Sequence, residues 1–124
     1  MKKAISLFLA LVMLVSVFAG LGITAYAADT QTLWVDPVNG SDSAAGTQVA
    51  PFQTIEKAKA AAAALSAGGD VTVWLHGGTY RVSNAITFTS ADSGKNGHVI
   101  TYKAVSGEVP VISGGTPITG WTIY

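Results

Sequence analysis

Beyond Gly69 the sequence holds no stretch with helical periodicity, only short alternating runs divided by glycine-rich turns. That pattern restricts the chain to architectures built from many short strands. Val71-Thr72-Val73-Trp74-Leu75 sets Val71, Val73 and Leu75 on one face, because successive side chains of a strand point to opposite sides. Ala85 to Thr89 puts Ile86 and Phe88 on a common side. Further runs follow at His98 to Lys103, at Val109 to Ile112 and from Ile118 to Tyr124. Turns are expected at His76 to Thr79, Asp92 to Gly97, Gly107 and Gly114-Gly115. Strand starts near 71, 85, 98, 109 and 118 lie 14, 13, 11 and 9 residues apart. Short strands at such spacing fit a sandwich, a barrel or a β-solenoid.

The region before them narrows the choice. Thr32-Leu33-Trp34-Val35 reads as a short strand, and Asp36 to Pro51 is a long turn dense in Gly, Ser, Asp, Asn and Pro. Thr54 to about Ala67 reads as a helix. The Thr54 hydroxyl can cap its first turn, and Glu56 complements the dipole there. Ile55, Ala58, Ala62 and Leu65 fall on one face, and the alanines allow close approach to a sheet. Gly68-Gly69 is expected to end the helix with a residue at positive φ. A single amphipathic helix ahead of regular strands suits a solenoid. Its terminal coil cannot bury its own apolar face and needs a cover.

The first 27 residues have the order of a secretory signal peptide: Lys2 and Lys3, an apolar run from Ala4 to Gly22 broken by Ser6 and Ser16, then Ala25-Tyr26-Ala27 as a cleavage site. A membrane anchor is the alternative, but no basic flank follows the run. The expected division is therefore a signal peptide over 1–27 and an extracellular domain over 28–124, with no membrane contact after cleavage. Past Ala27 there are five Lys or Arg and seven Asp or Glu, a net charge of −2 (5 − 7). That balance offers nucleic acid no basic patch. The chain has no cysteine. Neither a disulfide nor a lipoprotein anchor is therefore available, and buried apolar surface must hold the fold together.

Three stretches together resemble the opening of secreted right-handed parallel β-helix proteins of the pectate-lyase-like superfamily. The first runs Val35-Asp36-Pro37, Asn39-Gly40-Ser41-Asp42, Gly46-Thr47 and Ala50-Pro51-Phe52-Gln53-Thr54-Ile55. The second is Val71 to Arg81, with His76-Gly77-Gly78-Thr79-Tyr80 at its centre. The third is Ile100 to Ala104, Gly107-Glu108, Pro110 to Gly115 and Ile118-Thr119-Gly120-Trp121. They span roughly Leu33 to Thr122. The third is most similar to the glycoside hydrolase branch, with β-xylosidase-like and α-fucosidase-like members, while polysaccharide lyases share the first two. The resemblance implies a mainly β fold: the N-terminal cap and first coils of a parallel β-helix, with an Ala-rich capping helix. It further implies a secreted carbohydrate-active protein whose partner is a polysaccharide or oligosaccharide. Members of the superfamily usually run to several hundred residues, so this chain is expected to be the first part of a longer one. Their catalytic groups lie on later coils, and no catalytic, cofactor-binding or metal-binding residue is carried over. A glycosidase is the first reading, a pectate-type lyase the second and a non-catalytic surface or adhesion solenoid the third.

Several residues invite chemistry, each beside a plainer reading. Asp36, Asn39, Ser41 and Asp42 gather oxygen ligands that could suit calcium. Their spacing does not match an EF-hand loop, so an Asx/Gly turn satisfying its own backbone is preferred. Asn39-Gly40-Ser41 is formally a glycosylation sequon, read here as a turn. His76, Tyr80 and Arg81 could line a sugar site, but a structural corner with Arg81 paired to a carboxylate is preferred. Asp92 and Glu108 could be a glycosidase pair only if they lay within about 5–9.5 Å of each other, and solvated turn carboxylates are the preferred reading. Trp34, Trp74 and Trp121 could stack on sugars. Trp34 and Trp74 are instead expected to pack around the helix.

Overall fold

The computed structural model describes residues 30–122. The expected signal peptide and its cleavage site lie outside that range. In chain order come strand β1 (Gln31–Val35), helix α1 (Ile55–Leu65), β2 (Val71–Leu75), β3 (Gly78–Arg81), a 3-10 turn (Ser90–Asp92), β4 (Ile100–Ala104) and β5 (Pro110–Ser113). The fold is mainly β, and its strands pair in parallel: β1-β2-β4 form one sheet and β3-β5 a second. Val71 pairs with Ile100 and Gly78 with Pro110, offsets of 29 (100 − 71) and 32 (110 − 78) residues. The chain thus passes through both sheets in the same order twice.

Alternation along the strands builds the core. Leu33 and Val35 of β1 and Val71, Val73 and Leu75 of β2 point inward, where they meet Phe52, Tyr80 and the helix residues Ile55, Ala58 and Ala62. Ala58 and Ala62 are completely buried. Their small side chains let α1 lie directly on β1 and β2, and a leucine at either position would overpack the contact.

The helix starts as its sequence dictates. Thr54 accepts a hydrogen bond from Lys57 N at 3.2 Å and is itself held by Asp42, whose carboxylate accepts from Thr54 N at 2.9 Å and Thr54 Oγ1 at 2.7 Å. Its end differs from expectation. Neither Gly68 nor Gly69 adopts positive φ. Ser66, fully buried, closes the last turn, with its N–H on Ala62 O and its hydroxyl on Ala63 O.

Two strand expectations need correction. The run 85–89 forms no ladder. Its polar groups are taken by side chains instead: Lys59 Nζ donates to Thr87 O at 2.7 Å, and Thr89 and Asp92 make a reciprocal capping box around the 3-10 turn. Conversely, Gly78 and Thr79, read as turn, begin β3. The corner is only His76 and Gly77, and Gly78 enters the strand at φ +134°, a conformation open to glycine. Among the described residues from Ile118 onward there is no strand, and Gly120 sits at φ +84°.

Carboxylates fasten both ends of the β2–β4 step. Before the strands, Asp70 Oδ1 accepts from Val99 N at 3.0 Å and lies 3.3 Å from His98 Nδ1. After them, Glu108 Oε2 accepts from Gly77 N at 2.6 Å and lies 3.1 Å from His76 Nδ1.

Candidate functional site

The outward face of the β1-β2-β4 sheet carries the residues that the core does not use. Register places Thr32, Thr72 and Thr101 in one row, and Trp34, Trp74 and Lys103 in the next. The indoles of Trp34 and Trp74 stack with centroids 5.7 Å apart and planes 19° apart. Lys103 Nζ stands 4.2 Å above the Trp74 ring. Its charge is therefore held by a π face. Among the described residues the ion pairs join Lys59 to Asp92, His76 to Glu108 and His98 to Asp70, and none engages Lys103. The expectation that Trp34 and Trp74 pack around the helix is thus overturned. They alternate with Leu33, Val35, Val73 and Leu75, and therefore occupy the opposite side of the sheet from α1.

Just past the strand ends lies a polar cluster. The His76 ring sits 5.6 Å from that of Trp34, tilted by 34°. When Nδ1 carries its proton it donates to Glu108, and Nε2 is left as an acceptor. The Gly77 N–H is the largest influence on the Glu108 carboxyl and, with the contacts from His76, holds it below the usual range although burial opposes them. Asp36 is near enough for its charge to act on both His76 and Glu108. Burial pushes Asp36 up, but donors from Asn39 and Val38 outweigh it and keep the group low. The ensemble offers an aromatic strip, one ammonium donor and a histidine–carboxylate pair on one surface.

The other candidates do not come together. Asp36 accepts from Val38 N, Asn39 N and Asn39 Nδ2, and Asp42 from Gln53 N and both Thr54 donors. These oxygens brace the 36–54 loop rather than converge on one point, and Ser41 contacts Ser43. Burial raises Asp42, while the Thr54 and Gln53 donors overcome it and lower the group. Among the described residues, no three His, Cys, Asp or Glu side chains are grouped to hold a metal ion. The sequon Asn39 is tied to Asp36, and a Cβ on Gly40 would run into the Phe52 carbonyl.

His76, Tyr80 and Arg81 separate. Tyr80 points inward, with its hydroxyl 2.9 Å from both Val35 O and His76 O, and burial pushes its pKa upward. Arg81 donates to Gly115 O rather than to a carboxylate. Asp92 sits beside the helix, paired with Lys59 at 3.3 Å, whereas Glu108 lies at the His76 corner, so the two do not form a pair. Trp121 is 82% exposed in the terminal segment, away from the stacked indoles.

Lys103 and the threonine row escaped sequence reasoning. Their signal is the pairing register, which joins residues 29 and 40 positions apart. A second surface is the apolar opening at the last strands, about 450 Å³, lined by Ile55, Leu75, Val82, Ile86, Phe88, Tyr102 and Ile112. The Tyr102 hydroxyl is buried there without a hydrogen-bond partner among the described residues.

Residues 38–112 match the family described as protein of unknown function (DUF1565). Over 105 residues, 82% of this chain, the sequence is 39% identical to the pectate lyase PEL9 of Emericella nidulans. A solved structure described as a glycoside hydrolase superposes with a TM-score of 0.69 at 28% identity over 76% of the chain. The chain spans 23% of the length of that lyase and 16% of the length of that hydrolase.

Proposed function

The chain belongs to the DUF1565 family, and on that premise we propose that it is the N-terminal part of a longer exported β-helix glycoside hydrolase acting on plant or microbial polysaccharide. Residues 1–27 are its signal peptide, cleaved after Ala27, and 28–124 are the cap and first coils. The observation that carries the reading is the double parallel pairing of β2 with β4 and β3 with β5. β2 and β3, joined by a two-residue corner, are followed about 30 residues later by β4 and β5, joined by five residues, in the same order, as successive coils of a solenoid require. α1 closes one end of the stack. The apolar opening around Tyr102 and Ile112 is where the following coil seats. The carboxylates that break the glycosidic bond belong to later coils.

Incubating the natural-length protein with a panel of aryl glycosides and polysaccharides tests this. Released reducing sugar is the expected result, and no release from any substrate overturns the enzyme reading. A pectate-type lyase is the second reading, favoured by the similarity to the fungal lyase. It predicts calcium-dependent products that absorb in the ultraviolet. Saturable glycan binding without turnover would instead mark a non-catalytic surface solenoid. N-terminal sequencing of the exported protein should begin at Ala28.

A further inference from the structure

We propose that the outer strip formed by Trp34, Trp74, Lys103, His76 and Glu108 is a binding surface for neutral saccharide chains. This rests on the carbohydrate reading above and adds a ligand class and a location to it.

Two large indoles on the solvent side of a sheet leave apolar area that only partial burial relieves, and each is positioned by a strand rather than a loop. Their mutual stacking accounts for the contact between the rings, but not for the groups around them. On one side stand the Thr32, Thr72 and Thr101 hydroxyls. Above Trp74 stands an ammonium with no carboxylate partner among the described residues, carried on a flexible exposed stem. Beyond the strand ends are His76 and Glu108, each still partly open to solvent.

A pyranose has an apolar C–H face and a rim of hydroxyls that both donate and accept. The strip supplies a matching set: π surface for the C–H face, Lys103 and the threonines as donors, Glu108 and His76 Nε2 as acceptors. Charge selects the class. Asp36 and Glu108 place two carboxylates against one lysine at this end of the sheet. A chain of uronates would meet repulsion that a neutral chain does not.

The test is titration of the natural-length protein with xylohexaose and cellohexaose, and separately with an oligogalacturonate of equal length, followed by tryptophan fluorescence and calorimetry. Saturable quenching by a neutral oligosaccharide is expected, with affinity reduced about tenfold in Trp74→Ala. Lys103→Ala, which alters only an exposed side chain, is expected to weaken binding several-fold and keeps the test valid if Trp74→Ala does not fold. Unchanged affinity in Lys103→Ala overturns the proposal, whether or not Trp74→Ala folds, as does tighter binding of the oligogalacturonate. If polysaccharide is cleaved while both variants bind as wild type does, the strip is refuted and the enzyme reading stands. If the variants lose binding and nothing is cleaved, the strip stands and the enzyme reading falls.

Discussion

β2 and β4 are neighbouring strands of one sheet with similar inward residues, yet they live in different surroundings. Val71 and Val73 are buried to 1% exposure or less, covered by α1 and flanked by strands on both sides. Their partners Ile100 and Tyr102 are only partly buried. In the second sheet, Tyr80 is 3% exposed while its register partner Ile112 is 58% exposed. Side-chain chemistry does not explain the contrast, since Val and Ile bury equally well. It comes from coverage: the first strands have a helix and a following strand against them, and the last have an apolar opening. Burial in this fold is therefore a property of position among the paired strands, and stability should be graded from the first to the last of them.

The steepest break in that gradient is expected at Phe52, which is buried between β1 and the 36–54 loop. Phe52→Ala should cost about 3–5 kcal/mol. A core this modest supplies little more than that, so the variant should show no cooperative denaturant transition; a retained transition at the wild-type midpoint would dissolve the contrast. Next comes Ala58→Leu, which forces a larger side chain between α1 and the sheet. About 1–3 kcal/mol of destabilisation is expected from overpacking, measured as a shifted midpoint with unchanged slope.

A third prediction concerns acid. Asp36, held low by N–H donors, and Asp42, held low by the Thr54 hydroxyl and two N–H groups, brace the well-covered end. A carboxyl lowered on folding contributes fully above its unfolded pKa, about 3.9 for Asp. That contribution is lost as pH falls through the lower folded value. Thermal stability should therefore fall as pH drops below about 4. Asp42→Asn should flatten that limb while lowering stability at neutral pH. An unaltered acid limb in Asp42→Asn would remove the loop from the account. The smallest effect is expected at the open end. Ile112→Ala should change the stability of this chain by no more than about 0.5 kcal/mol. In a longer protein whose further residues cover Ile112, the same substitution should cost about 2–5 kcal/mol. Comparing the two lengths measures the coverage directly.

Local periodicity was legible in the order of the amino acids. Val71, Val73 and Leu75 share a face because strands alternate, and Ile55, Ala58 and Ala62 share one because helices repeat near every fourth residue. Thr54 reads as a cap because its hydroxyl can accept from an N–H of the helix's first turn, as it does from Lys57 N. Glycines blurred the start of β3, because a residue able to turn is also able to enter a strand at φ +134°. The run 85–89 looked like a strand because its alternation is real, but a distant lysine and a local capping box satisfy its polar groups. Tertiary structure alone decided that Trp34 stacks on Trp74, that Lys103 lies above Trp74 and that Glu108 meets His76. These contacts join residues 29 to 40 positions apart across parallel strands. A parallel pair has no tight hairpin to fix its register. The register is set by packing against α1 and by the Asp70 and Glu108 contacts, which exist only once the chain has come round.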